Sequence, residues 1–94
     1  IVWSINNYNN SEPLIISNSN EISIRDLVLM LCRLTNFDNS VRFDESKPEG
    51  QLRKPSCNRK FLKLNPDFTF TPLEVGLRNT IDWFTQNYPN CRGI

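Results

Sequence analysis

The stretch EPLIISNSNEISIRDLVLMLCRL, residues 12–34, decides the predicted fold, because a short apolar run precedes a capped amphipathic segment. The run Leu-Ile-Ile at residues 14–16 is typical of a strand buried on both faces of a parallel sheet. Ser23 and Asp26 have capping-box spacing, with Asp in place of Glu, and predict a helix over residues 23–36. Its apolar residues share one face: Leu27, Val28, Leu31 and Leu34, with Cys32 as a further candidate.

A second strand is predicted after this helix, at residues 41–43, where two apolar side chains alternate with Arg42. Strand, helix and strand in this order form a βαβ unit with parallel strands and a right-handed crossover. Two strands are too few for an independent sheet, so they are expected to extend or lie beside structure elsewhere. The fold class predicted for the single domain at residues 1–94 is therefore α/β, with short parallel strands and helices.

Two more helices are predicted in the second half of the chain. The segment NRKFLKL, residues 58–64, can form a short helix. Thr71 as N-cap, Pro72 at the first helical position and Glu74 at the third predict a helix over residues 72–88. Its apolar stripe recurs every three or four residues, at Leu73, Leu77, Ile81, Phe84 and Tyr88.

Length, charge and cysteine usage exclude several classes of function. A chain of 94 residues is too short for a nucleotide-binding domain plus a substrate domain. The net charge of +1 argues against a general affinity for nucleic acid or membranes. Three widely spaced cysteines without any histidine suggest neither a zinc site nor a disulfide framework, and we predict a reduced, cytoplasmic protein.

The first residues predict a connection to a longer protein. The chain starts at Ile1 without Met, in the apolar segment IVWSI. We therefore expect a fragment of a longer two-domain protein, with an apolar patch at residues 1–5 where the other domain would pack.

The loop KPEGQLRKPSCNRKFLK, residues 47–63, carries an unusual concentration of positive charge. Its basic residues are Lys47, Arg53, Lys54, Arg59, Lys60 and Lys63, and its single acid is Glu49. A cationic loop between a strand end and a helix is suited to a phosphate group. The alternative is an ordinary solvated surface, and charge and spacing alone leave both readings open.

The motif FDESKPEGQLRK resembles a family signature, FD-x-SKP-[DE]-G-x-x-[RK]-K, found in the C-terminal part of GDP-L-fucose synthases. NYNNSEPLIIS and EISIRDLV before it, and PDFTFTPLEVGLRNTIDWFTQNY after it, are similar to that family as well. The resemblance covers nearly the whole chain, except that the run Pro-Ser-Cys-Asn after Lys54 follows no fixed family pattern. These enzymes belong to the extended short-chain dehydrogenase/reductase superfamily.

The resemblance implies a role for the loop as part of a GDP-sugar-binding lobe. In the family, the lysine that ends the signature contacts the substrate diphosphate, and the matching position is Lys54. Arg53 is a possible helper beside it, Glu49 and Gly50 would shape the turn, and Lys47 would line the cleft or pair with Asp44.

The resemblance places the chemistry itself outside this chain. The parent enzyme converts GDP-4-keto-6-deoxy-D-mannose to GDP-L-fucose by 3,5-epimerisation and NADP-dependent 4-keto reduction, and is expected to be a homodimer. The glycine-rich NADP turn, the Ser and Tyr-x-x-x-Lys reduction residues and the Cys/His epimerisation pair have no match here. Neither Cys32 nor Cys57 inherits the catalytic role, so we predict no catalytic, cofactor or metal residue in this chain and no activity of the fragment alone. The alternative is a free-standing phosphate-, nucleotide- or protein-binding module without catalysis.

Overall fold

The computed structural model of the chain describes residues 1–37 and 40–91. Four helices occur in this part of the chain: α1 (Val2–Asn7), α2 (Ile24–Thr35), α3 (Arg59–Leu64) and α4 (Leu73–Asn87). The segment between α2 and α3 contains residues 47–58 of the basic loop and has no regular secondary structure where it is described.

The predicted α/β class with short parallel strands is wrong for the described residues, which contain helices and no strand. The two predicted strands, at residues 14–16 and 41–43, make no backbone hydrogen bond to another described segment. A strand persists only when its backbone groups are paired with a neighbouring strand. Ile15 is 52% exposed and Ile16 is 38% exposed, which also differs from burial on both faces.

Helix α2 confirms the helix predicted from the capping-box spacing. The Ser23 hydroxyl accepts a hydrogen bond from the Asp26 backbone amide at 3.0 Å and donates one to the Asp26 carboxylate at 2.7 Å. The helix ends before Asn36, whose φ of 53° is the left-handed conformation that commonly terminates helices. The predicted apolar face is half-buried throughout, at Leu27, Val28, Leu31, Cys32 and Leu34.

Helix α4 begins one residue later than predicted and pairs with α2. Pro72 occupies the N-cap position and no side chain caps this end, so the prediction of Thr71 as the N-cap is wrong. A salt bridge of 3.0 Å between Arg33 of α2 and Glu74 of α4 joins the two helices. The predicted apolar stripe is covered at its centre only: Leu77 and Ile81 are half-buried, whereas Leu73, Phe84 and Tyr88 are exposed.

The core is an aromatic cluster around α3, which the sequence predicted as a short helix. Phe61 is only 2% exposed. Three other rings lie edge-on to it, with centroid distances of 5.6 Å for Trp3, 5.0 Å for Phe68 and 6.3 Å for Phe70. Such edge-to-face pairs add to the free energy gained by burying the rings. We call these four rings the Phe61 cluster.

The chain is open for its length, and much apolar surface is uncovered. Its radius of gyration is 17.5 Å, whereas a compact domain of this size has about 12 Å. Within residues 1–37 and 40–91, Phe61 is the one fully buried hydrophobic side chain. The predicted exposed patch near the start is present, with Ile1 91%, Val2 73% and Ile5 75% exposed. Patches of this kind usually mark surfaces that pack against another element. None of the described helices is long and apolar enough to cross a membrane.

Candidate anion-binding groove

An open groove lies between residues 18–24, which end at the first residue of α2, and residues 48–56, which have no regular secondary structure. Its volume is about 900 Å³, and residues of both segments line it. The first wall leads into the N-terminus of α2, so the positive end of that helix dipole lies at the edge of the groove. The second wall is the part of the basic loop that precedes α3. We call this space the groove.

Polar side chains hold the two walls together, where a pair of strands would use its backbone. The Ser56 hydroxyl donates to the Ser17 hydroxyl at 2.8 Å. The Asn58 side-chain amide donates to the Ser17 carbonyl at 2.7 Å, and Asn58 is only 5% exposed. A buried amide that loses its acceptor costs more free energy than an exposed one. Asn58 therefore fixes one end of the groove.

Arg53 and Glu21 face each other across the groove. The Glu21 carboxylate accepts two hydrogen bonds from the Arg53 guanidinium, one from Nε at 3.3 Å and one from Nη2. The side-chain hydrogen bond from Arg53 lowers the pKa of Glu21, and the same bond raises the pKa of Arg53. This planar two-point geometry is the one that guanidinium groups also offer to phosphate.

Lys54 also lines the groove, next to Arg53. Among the described residues, no salt bridge or side-chain hydrogen bond involves its ammonium group. The structure therefore brings together two of the predicted binding residues in different states: Arg53 has a carboxylate partner, and Lys54 has none within the described part of the chain.

The remaining predicted site residues are placed less favourably. Glu49 and Gly50 line the groove, but Lys47 is not among the lining residues. The turn predicted at Glu49 and Gly50 lies earlier in the chain, where the Asp44 carboxylate accepts from the Ser46 backbone amide at 3.0 Å. The φ of Gly50 is not positive, and a Cβ there would meet nothing within 4 Å, so this position does not require glycine.

Asp44 is bound to its own turn. The Ser46 hydroxyl donates to the Asp44 carboxylate at 2.6 Å, and the hydrogen bonds from Ser46, that of the side chain first, lower the pKa of Asp44. Neither of the two alternatives considered for Lys47, a place in the cleft wall or a salt bridge to Asp44, is observed in the described residues.

The other half of the basic loop belongs to α3 and faces a separate cleft of about 400 Å³. Lys60 is engaged there: its ammonium lies 2.7 Å from the Glu12 carboxylate and 5.3 Å from the centroid of the Tyr8 ring. Lys63 lines the same cleft, away from the groove. The six basic residues of the loop thus do not form one continuous site.

Cys57 and Arg59 form a local pair between the groove and α3. Arg59 Nε donates to the Cys57 sulfur at 3.2 Å, and the backbone and side-chain hydrogen bonds from Arg59 lower the pKa of the thiol. The described residues contain no cluster of His, Cys, Asp or Glu that could hold a metal ion.

Sequence reasoning missed Glu21, Ser17 and Asn58. Asn is a favoured N-cap residue, and Asn58 does precede α3, but its side chain makes no capping bond there. It binds instead a carbonyl 41 residues earlier in the chain. Glu21 and Arg53 are 32 residues apart, and no local pattern indicates that they meet.

Comparison with known proteins gives a consistent result along almost the whole chain. No protein-family model matches it. The chain is 39% identical over 93 residues to "GDP-L-fucose synthase" of Dictyostelium discoideum, covering 97% of this chain and 29% of that protein. It is 31% identical over 94 residues to "Probable GDP-L-fucose synthase" of Drosophila melanogaster, covering 98% and 29%. It is 28% identical over 88 residues to "GDP-L-fucose synthase" of Escherichia coli K12, covering 89% and 27%.

These relatives are more than three times as long as the region that they share with this chain, which spans 29% of the first two. The similarity runs through both walls of the groove, through α3 and through α4, since it covers 97% of the chain in the Dictyostelium comparison. Along almost its entire length, the chain therefore matches the C-terminal part of GDP-L-fucose synthase.

Proposed function

We propose that the whole protein carrying this chain is a GDP-L-fucose synthase, and that this chain forms the lobe that binds the GDP-sugar. One observation carries the proposal: the lysine and arginine at the end of the family-like motif both line the groove, in a chain that matches these enzymes over 97% of its length. The substrate in that role is GDP-4-keto-6-deoxy-D-mannose, and the overall reaction is 3,5-epimerisation followed by NADP-dependent reduction of the 4-keto group.

Lys54 is the proposed contact to the diphosphate. A diphosphate carries several negative charges and many acceptor oxygens, and an ammonium group with three donors on a long stem can follow them. Arg53 is the proposed helper, with a planar guanidinium that can bind two oxygens at once. The positive end of α2 adds to the local potential at the edge of the groove.

Glu49 and Gly50 are kept as lining residues of the proposed site, because they lie in its wall. Lys47 stays a prediction from the resemblance alone, since it lies outside the lining of the groove.

The NADP cofactor of the proposed reaction does not fit the described residues of this chain. Dinucleotide sites use a glycine-rich turn between a strand and a helix. Gly50 lies in an open loop without positive φ, and Gly76 lies inside α4. The described residues also contain no strand from which such a turn could start. We therefore assign the cofactor, and the residues of the chemical steps, to the rest of the protein.

The open shape of the chain favours the interpretation that it is a lobe of a larger protein and not a free-standing module. A module that works alone needs its own closed core. Here one hydrophobic side chain is fully buried within the described residues, and the apolar residues near the start are exposed. A homodimer and a cytoplasmic location stay predictions from the resemblance and the composition.

The direct test is an activity assay on the full-length protein as its gene encodes it. Incubation with GDP-4-keto-6-deoxy-D-mannose and NADPH should produce GDP-L-fucose, measured by chromatography, with matching NADPH oxidation. The same assay on the 94-residue chain alone should show no NADPH oxidation. Absence of product with the full-length protein, or NADPH oxidation by the chain alone, would contradict the proposal.

A further inference from the structure

The two cations of the groove differ in one respect that the proposed function leaves unexplained. The Arg53 guanidinium is held by the Glu21 carboxylate through two hydrogen bonds, whereas Lys54 has no such partner among the described residues. Glu21 comes from the opposite wall, so the pair bridges the groove. A carboxylate bound in this way occupies the same donor fork that a phosphate would use.

The salt bridge between Arg53 and Glu21 is weak enough for a phosphate to displace Glu21. The Arg53 side chain is 71% exposed and that of Glu21 is 42% exposed. Exposed ion pairs shift an equilibrium by at most about fivefold, because water competes with both partners. A phosphate group carries more charge than a carboxylate and offers the same two-point geometry. It can therefore replace Glu21 on Arg53 at a small cost.

From this geometry, and resting on the proposed function, we propose that Glu21 is a positioning residue that occupies Arg53 while the groove is empty and is displaced by a diphosphate. The carboxylate keeps the guanidinium extended across the groove and neutralises it. A phosphate of the ligand replaces the Glu21 carboxylate on Arg53, and the released Glu21 side chain becomes solvated.

This exchange gives Glu21 a different effect on ligands with one and with two phosphates. A monophosphate can bind Lys54 alone and leave the Arg53 pair intact. A diphosphate has a second phosphate that can reach Arg53, and it must break the pair to do so. Glu21 thus lowers the affinity of the groove for diphosphates by up to about fivefold, the factor of an exposed ion pair, and leaves monophosphate binding at Lys54 nearly unchanged.

The test compares Glu21→Gln with the matched control Glu12→Gln in the full-length protein. Glu12 forms a salt bridge with Lys60 outside the groove, in which Glu12 is 71% and Lys60 40% exposed. Calorimetric titration with GDP at low salt should give about three- to fivefold tighter binding for Glu21→Gln, the factor set by an exposed pair. We expect Glu12→Gln to bind GDP like the wild type. GMP binding should change less than twofold in either variant.

A double-mutant cycle separates this role from a structural one. In an Arg53→Gln background, Glu21→Gln should no longer tighten GDP binding, because no guanidinium remains to be released. A merely structural role for Glu21 would weaken GDP binding when it is replaced. Unchanged or weaker binding by Glu21→Gln, while the wild type binds GDP, would overturn this inference and leave the proposed function intact. If neither protein binds GDP, both the inference and the proposed function are wrong.

Discussion

The Phe61 cluster and the groove are held together by different forces. The cluster is closed by aromatic rings packed edge to face around a side chain that is 2% exposed. The two walls of the groove are linked by hydrogen bonds and a salt bridge between exposed polar side chains. Apolar burial contributes several times more free energy per residue than exposed ion pairs do. The Phe61 cluster therefore contributes most of the free energy of folding, and the exposed ion pair of the groove can be exchanged for a ligand at little cost in stability.

Asn58 joins the two regions. It directly precedes α3, which carries Phe61, and its buried amide binds the carbonyl of Ser17 beside the first wall of the groove. The buried Asn58 side chain thus ties the first wall of the groove to α3, while the charged residues of the groove are exposed to water. Substitutions should consequently separate into those that alter folding and those that alter binding.

The largest effect is expected from Phe61→Ala, which removes the centre of the cluster. Truncation of a buried phenylalanine typically lowers the free energy of unfolding by about 3–5 kcal/mol. Chemical denaturation of the full-length protein measures this loss. Leu64→Ala on the same helix is the control, because Leu64 is 47% exposed. Equal losses in the two variants would mean that the cluster is not the main source of stability.

A smaller effect is expected from Asn58→Ala, at the junction. The substitution leaves the Ser17 carbonyl without its donor, which should lower the free energy of unfolding by about 1–3 kcal/mol. It should also weaken GDP binding, because one end of the groove is released. Asn79→Ala on the exposed surface of α4 is the matched control and should change stability by less than about 0.5 kcal/mol. A variant as stable as this control would show that the two regions are independent.

The smallest effect on folding is expected from acid. Hydrogen bonds from Lys60 and Arg53 lower the pKa values of Glu12 and Glu21, respectively, below their ordinary value of 4.5. A lowered pKa in the folded state stabilises the protein above the unfolded pKa, and this contribution is lost as pH falls through the folded value. As the pH is lowered from about 4.5, the denaturant concentration at the unfolding midpoint should therefore decrease slightly more in the wild type than in a Glu12→Gln/Glu21→Gln double variant. If the midpoints of the wild type and the double variant change in parallel with pH, neither salt bridge contributes measurably to stability.

Local signals in the sequence were sufficient for α2, α3 and α4 and for the basic character of the second wall of the groove. Ser23 and the spacing of apolar residues after it predicted α2, and the observed capping bonds are those that this spacing favours. The excess of positive charge around Lys54 predicted the basic wall. Both features depend on neighbours in the chain, which a sequence shows directly.

Features that depend on distant partners could not be predicted in this way. The runs at residues 14–16 and 41–43 have strand-like composition, but a strand requires a second backbone to pair with, and no described segment supplies one. Likewise, nothing around Glu21 indicates its pairing with Arg53, since two exposed charges of opposite sign occur at many positions of this chain. The N-cap of α4 shows a third limit, because Thr71 and Pro72 fit a helix start in two adjacent registers.

One comparison of two lysine variants tests whether the groove binds the GDP-sugar and whether its charges affect binding without affecting stability. In the full-length protein, Lys54→Ala should weaken binding of the GDP-sugar by about 1.5–3 kcal/mol, the scale of a charge-assisted hydrogen bond, and leave stability unchanged. The loss should appear mainly in KM, with NADPH affinity unaffected, if the contact is equally strong in the ground and transition states. Lys63→Ala removes the same charge from the cleft of α3, away from the groove, and should leave KM near the wild-type value. Equal losses of GDP-sugar affinity in the two variants would contradict a placed lysine and indicate a diffuse positive field instead.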